Sequence, residues 1–335
     1  MDLIKSAEQL KGWIPIRVKW HGADPMIDWC RVDDDQFTEP FFDRTIERLL
    51  ERPFNLLFRR FADISSLKLA AAALESVKPS GFIFHISRCG STLVSRMLAS
   101  LSQNIVVSEA SSLDWIIRAK VRRPGITVDE HIKWIRWMIA AMAQKRTADA
   151  AHFYVKFDGW HILYFDLIRQ AFPDVPWVFL YREPVEVLVS HSKQPSSATV
   201  PGIIEYDVPG LTIYDAVQTP LEEYPARVLG RFSEAALALA DDQNGLFINY
   251  NRLPGAAVGE MLQHFGVKYS DEDIAKMLGS AGKNAKQPAI DFVPDSAEKR
   301  ESANENLRSN AERFMRPSYD GLEREAELQK ARYKA

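Results

Sequence analysis

From Phe82 onward, short apolar runs alternate with longer segments whose apolar residues recur every three or four positions. Phe82–Ile86 reads as a buried strand, and Leu93, Met97, Leu98 and Leu101 behind it mark one face of a helix. Further strands are expected at Asn104–Ser108, His152–Phe157, Trp177–Tyr181 and Leu246–Tyr250. Between them, helices are expected over Ser111–Arg123, Val128–Arg146, Trp160–Phe172, Pro184–Ser192 and Glu222–Asp241. Ser111 and Ser112 stand where a cap for the first of these would be, and Pro184 opens its helix in the first turn. Later helices are expected over Gly255–Phe265 and, capped by Ser270, over Ser270–Ala281. Strands that alternate with helices imply a mostly parallel sheet of about five strands with helices on both faces. Such a sheet carries its site at the C-terminal strand ends.

Residues 1–77 lie outside this rhythm and read as an N-terminal extension packed on a main domain over 78–335. Strands are expected at Trp13–Trp20 and Ile27–Trp29, then a helix from Pro40 to Arg52 and another from Ser66 to Val77. Asn55–Phe61 is apolar and basic. Ser192–Pro225 is rich in Pro, Gly, Ser and Thr and too long for a plain connector, so it reads as a binding loop or lid. Beyond Lys283 the chain turns polar and charged, as helices and loops crossing the surface would.

Composition narrows the function classes. With 335 residues, 46% hydrophobic and 26% charged, a sizeable core is easily supplied. The net charge of −3, without a basic tail, does not favour nucleic acid as a partner. The two cysteines, Cys30 and Cys89, suggest no disulfide framework and fit a reducing compartment. The first residues lack a signal peptide's apolar stretch, and no run approaches the ~18 apolar residues of a membrane span. A cytoplasmic protein with no membrane partner is expected.

Charged residues follow four strands in succession: Arg88, then Glu109, then Lys156 with Asp158, then Arg182. The stretch Ser87-Arg88-Cys89-Gly90-Ser91-Thr92 joins a strand to a helix N-terminus, where converging N–H groups and the helix dipole favour an anion. In Walker A spacing His85 would hold the first Gly position and Ser91 the Lys position, which argues against ATP or GTP hydrolysis. Arg88 supplies the cation instead. Arg182 ends its strand, and Ser190 lies about two helical turns further on. Together they form a clamp suited to a second phosphate. An anion loop plus a separate clamp suggests a nucleotide phosphorylated at two places.

On these residues the chain resembles the sulfotransferases that use 3′-phosphoadenosine 5′-phosphosulfate. Ser87–Thr92 resembles the family's 5′-phosphosulfate loop, and Arg182–Ser190 its 3′-phosphate motif, with Glu183 in the acidic or amide slot. Phe247–Leu253 and Phe265-Gly266-Val267 are similar to the family's later strand and following helix end. The resemblance covers Gly81 to Ala281 and implies a P-loop three-layer sandwich. It also implies that Arg88, Cys89, Gly90, Ser91, Thr92, Arg182 and Ser190 hold the co-substrate, and that no metal is needed. Arg in the loop is closer to the tyrosylprotein and carbohydrate enzymes than to the cytosolic small-molecule type, which carries Lys. By the same resemblance Glu109 is the catalytic base and Lys156 neutralises the transferring group, with Arg88 beside it. Asp158 is the second base candidate, because the small-molecule enzymes place a His there. Leu93 stands where the cytosolic enzymes carry an adenine-stacking Trp, and Lys283 and Lys286 only loosely echo their C-terminal phosphate motif.

Plainer readings stand beside these. Cys89 is expected to be a small residue rather than a nucleophile, and His85 a strand-end packing residue. The basic run Arg118, Lys120, Arg122 and Arg123 is expected to be solvated. The rival functions are a P-loop kinase using ATP and Mg²⁺ with Asp158 as ligand, and a catalytically silent nucleotide-binding protein.

Overall fold

Trp13–His21 (β1) and Asp24–Arg31 (β2) pair antiparallel in register from Trp13↔Arg31 to His21↔Asp24. Gly22, at φ +61°, lies in the tight connection between them. The register shifts between Pro15 and Arg17, where Pro15 has no N–H to give the ladder. Arg60–Asp63 (β3) adds an edge to β2 and completes a three-stranded sheet. The computed structural model describes residues 6–204, 213–282 and 295–331.

The second sheet has five strands in the order β5-β6-β4-β7-β8. They are β4 (Pro79–His85), β5 (Asn104–Ser108), β6 (His152–Lys156), β7 (Trp177–Tyr181) and β8 (Gly245–Asn249). β5 runs parallel to β6, and β7 runs parallel to β8. Every residue of β5, β7 and β8 is buried, which is why these strands read as unbroken apolar runs rather than alternating ones. The helices that flank the sheet make this the α/β sandwich expected from the sequence.

The helices, in order, are α1 (Phe42–Leu50), α2 (Pro53–Leu57), α3 (Ser65–Ala73), α4 (Ser91–Ala99), α5 (Ser111–Ile117), α6 (Val128–Met142), α7 (Phe165–Ala171) and α8 (Pro184–Lys193). After these come α9 (Ile213–Gln218), α10 (Tyr224–Leu237), α11 (Leu262–His264), α12 (Asp271–Ala281), α13 (Ser296–Ser302), α14 (Glu305–Phe314) and α15 (Arg316–Lys330). Ser270 caps α12 as expected, accepting from the Asp273 amide at 3.1 Å.

Some boundaries differ from the sequence reading, for visible reasons. Ser111 and Ser112 do not cap α5. Ser111 donates to Asp43 at 3.1 Å and Ser112 to the Pro15 carbonyl at 3.1 Å, so both hydroxyls are spent on the N-terminal extension. Helix α5 ends at Ile117 and only a 3₁₀ turn, Ala119–Val121, follows it. The helix expected over Trp160–Phe172 begins as a 3₁₀ segment, Gly159–Tyr164. Gly159 is close-packed there, since a Cβ would stand 3.1 Å from the His85 carbonyl. Gly255–Phe265 is built around a π-helical segment, Ala257–Met261.

The chain forms two compact units. The first comprises Met1–Phe82, Ser95–Asp158 and Tyr164–Val175, and the second Ile83–Val94, Gly159–Leu163 and Pro176–Ala335. In the first, Gln144 is almost fully buried; it accepts from the Gly12 amide at 2.6 Å and donates to the carbonyls of Leu10 and Trp13. That one side chain satisfies several buried backbone groups of the extension. In the second, Gln329 of α15 accepts from the Phe247 amide at 2.8 Å and donates to the Gly245 carbonyl at 3.2 Å. The last helix thereby covers the edge of β8 that would otherwise invite strand pairing.

Candidate functional site

The loop Ser87–Thr92 lies between β4 and α4 in the second unit. Ser87 and Arg88 both take left-handed backbone, at φ +80° and +54°, and Gly90 follows at +84°. Non-glycine residues hold such angles only where their surroundings compensate. One compensation is visible: the Ser87 amide donates to Nδ1 of buried His85 at 2.9 Å. That bond leaves the neutral ring's proton on Nε2. His85 therefore sets the loop's first turn in addition to packing the strand end. The Ile86 amide donates to Leu180 of β7 at 3.0 Å, and the Val94 amide to the Gly90 carbonyl at 3.1 Å. Ser91 and Thr92 are buried in the first turn of α4. Gly90 is required by space as well as by φ, because a Cβ would meet Leu253 and Tyr250 side-chain carbons at 2.8 Å.

Cys89 is fully buried, and its thiol donates to the Leu180 carbonyl at 3.1 Å. It points into the fold and serves packing. Arg88 points the other way. Its guanidinium donates to the side-chain oxygen of Gln194 at 3.2 Å and to the Gln194 carbonyl at 2.6 Å, just past the end of α8.

The same helix starts at the expected clamp. Arg182, only 5% exposed, donates from Nε to Glu186 at 2.6 Å and from Nη2 to Asp295 at 2.7 Å and Ser296 at 3.1 Å. Its guanidinium stacks on the Tyr250 ring, 3.9 Å from the centroid. Glu186 also accepts from Arg300 at 2.8 Å and from Ser296 at 2.9 Å. Burial disfavours its charge, but the Arg182, Ser296 and Arg300 hydrogen bonds win and hold its carboxyl below the usual range. Ser190 donates back to the Glu186 carbonyl at 2.8 Å, as Ser residues inside helices often do. Arg182 thus stands just before α8 and Ser190 about two turns into it, as expected, yet their donors are engaged by carboxylates and backbone. Asp295, more than a hundred residues away, was not legible as a partner from the sequence, whereas Glu186 stands only four residues on.

The first unit holds the other expected residues. The Glu109 amide donates to the Lys156 carbonyl at 2.8 Å, extending the β5–β6 ladder one residue past Ser108↔Lys156. Glu109 then turns out of the strand at φ +51°, and its carboxylate lies 2.7 Å from the fully buried Lys156 ammonium. Phe41, from the extension, places its ring 5.1 Å from that ammonium. Asp158 is buried with a carboxyl pushed well above the usual range, first by burial and then by the Glu109 and Asp114 charges, which Lys156 offsets only in part. Asp43 of α1, bonded to Ser111, is also raised, chiefly by burial. Asp114 is neutralised by Arg118 at 2.5 and 2.8 Å.

No family model and no curated protein matches the chain. Among solved structures, the sulfotransferase domain from the curacin biosynthetic pathway is 14% identical, with TM-score 0.42, over 76% of this chain and 99% of that one. The sulfotransferase from Alicyclobacillus acidocaldarius is 15% identical, with TM-score 0.42, over 75% of this chain and 96% of that one. Retinol dehydratase in complex with androsterone and the inactive cofactor PAP is 16% identical, with TM-score 0.37, over 72% of this chain and 81% of that one.

One expectation is corrected by the geometry. Arg118 is not solvated; it is 6% exposed, paired with Asp114 one helical turn away and 5.0 Å from the Trp115 ring. Within the first unit, Phe41 lies over the Lys156 ammonium and the Asp43 charge acts on Asp158. No periodicity marks either residue; only the long-range Ser111–Asp43 contact reveals them. Lys283 and Lys286 lie outside the described residues, and among those described no helix is long and apolar enough to cross a membrane.

Proposed function

We propose that the chain is a sulfotransferase that moves the sulfuryl group of 3′-phosphoadenosine 5′-phosphosulfate to a hydroxyl or amine. In this reading Arg88 and the amides of Ser87–Thr92 hold the 5′-phosphosulfate, with Cys89 contributing backbone alone. Arg182 and the start of α8 take the 3′-phosphate. Glu109 accepts the acceptor's proton, and Lys156 with Arg88 stabilises the charge that develops on the bridging oxygen. Asp158, whose carboxyl is raised by burial and the neighbouring Glu109 charge, is the second base candidate.

The observation that carries the reading is the pair of anion features on α8. Arg182 stands at its start, and the loop's Arg88 is bonded to Gln194 at its end. Two separate cation seats suit a nucleotide phosphorylated at two places better than one polyphosphate. A thermal-shift comparison tests it. At 100 times its dissociation constant, 3′,5′-phosphoadenosine should stabilise the protein by roughly 2.7 kcal/mol. Stabilisation by ATP with Mg²⁺ and none by 3′,5′-phosphoadenosine would replace this reading with the kinase. Binding without sulfuryl transfer to any of a panel of phenols, sugars and amines would replace it with a silent nucleotide-binding protein.

A further inference from the structure

The two carboxylates on Arg182 are not alike. Glu186 is 2% exposed, sits one helical turn along α8, and is held by Arg182, Ser296 and Arg300 together. It is a fixed part of the seat. The Asp295 side chain is 40% exposed and enters from just before α13, a distant part of the chain. Its Oδ1 lies 2.7 Å from Arg182 Nη2, and its Oδ2 lies 2.6 Å from Lys299 Nζ. Burial opposes its charge, but Arg182 and Lys299 overcome this and keep the carboxyl below the usual range. One exposed carboxylate thus bridges two cations, with the Ser296 hydroxyl beside it and the Tyr250 ring fixing the guanidinium plane.

We propose that Asp295 is a built-in stand-in for phosphate, and that the 3′-phosphate of the nucleotide displaces it, taking Arg182, Ser296 and Lys299 as its ligands. This rests on the two-phosphate reading above and adds residues that the motif around Arg182 does not contain. A phosphate monoester carries about −1.5 to −2 charge and three acceptor oxygens, against one charge and two oxygens for Asp295. The exchange is therefore favourable for a phosphate, and it gives a nucleotide with a free 3′-hydroxyl nothing. Competition from within holds down the seat's affinity for 3′-phosphorylated nucleotides and leaves that for nucleotides with a free 3′-hydroxyl untouched. The Ser190 hydroxyl, committed to the Glu186 carbonyl, is replaced in this role by Ser296.

Isothermal titration of adenosine 3′,5′-bisphosphate and adenosine 5′-monophosphate into wild type, Asp295→Asn and Asp295→Ser tests the exchange. Both variants should bind the bisphosphate roughly tenfold more tightly, as loss of one charge-assisted competitor implies. Their affinity for the monophosphate should not change. Lys299→Met added to Asp295→Asn should reverse most of the gain. If wild type prefers the bisphosphate but neither Asp295 variant tightens it, the inference falls and the two-phosphate reading stands. If the 3′-phosphate adds nothing in any of these proteins, both fall.

Discussion

The ammonium of Lys156, fully buried at the end of β6, lies 2.7 Å from the carboxylate of Glu109, which leaves β5 in a left-handed backbone turn. The pair follows from strand register, because β5 and β6 end opposite each other and place consecutive residues side by side. If the reaction is sulfuryl transfer, Glu109→Gln should lower kcat by about 10²–10⁴-fold, the usual contribution of a positioned base. Lys156→Met should cost about 10²–10³-fold. Both should leave 3′,5′-phosphoadenosine affinity nearly unchanged; a large loss of affinity with little change in kcat would reverse the roles.

Asp158 gives a pH signature. Its folded carboxyl titrates well above the ordinary value of 3.8, so as pH rises past that value the unfolded chain loses its proton before the folded one does. Stability attributable to this group therefore falls with rising pH until the folded carboxyl also ionises. Asp158→Asn should raise the melting temperature at neutral pH, with the gain vanishing below about pH 4. Sulfuryl transfer should survive in this variant if Glu109 is the base, whereas its collapse would make Asp158 the base.

Glu186 behaves in the opposite sense. Its lowered carboxyl adds stability above the unfolded value of 4.5, and that stability is lost as pH falls through the folded value. Glu186→Gln leaves the buried Arg182 with one carboxylate fewer and should cost about 3 kcal/mol at neutral pH, measured by urea unfolding. A cost near zero would mean that Asp295 alone suffices for the guanidinium.

Gly90→Ala combines a positive φ with two carbon contacts at 2.8 Å. It should destabilise the fold by roughly 1–3 kcal/mol and abolish nucleotide binding. A bound nucleotide at unchanged affinity would show that Leu253 and Tyr250 can yield.

Cys89 should resist iodoacetamide in the native protein and react only after denaturation, because its thiol is fully buried and donates to Leu180. Mass-spectrometric labelling at Cys89 in the folded state would place the thiol on the outer face of the loop.

Much of this architecture was legible because burial writes itself into the chain. Asn104–Ser108 and Trp177–Tyr181 are strands to the residue, since fully buried parallel strands show as apolar runs bounded by polar turns. The loop and the charges at the strand ends were legible for the same reason. The partners of those charges were not. Asp295 meets Arg182 across more than a hundred residues, and Asp43 meets Ser111 across 68, distances over which no periodicity carries information. Arg118 was a different kind of miss. Its partner Asp114 is four residues away on one helix face, and that spacing was there to be used.

Asp43 and Phe41 bear on how the protein can be taken apart. The first compact unit includes both the amino-terminal strands and the segment bearing Glu109 and Lys156, and it re-enters the chain after the anion loop has intervened. A graft that exchanged residues 1–77 for those of another chain would replace the floor beneath Lys156 along with the sheet. Chimeras at that junction would therefore change what the Glu109–Lys156 pair is built on, and shortening the chain to its motif-bearing part would remove part of the first unit.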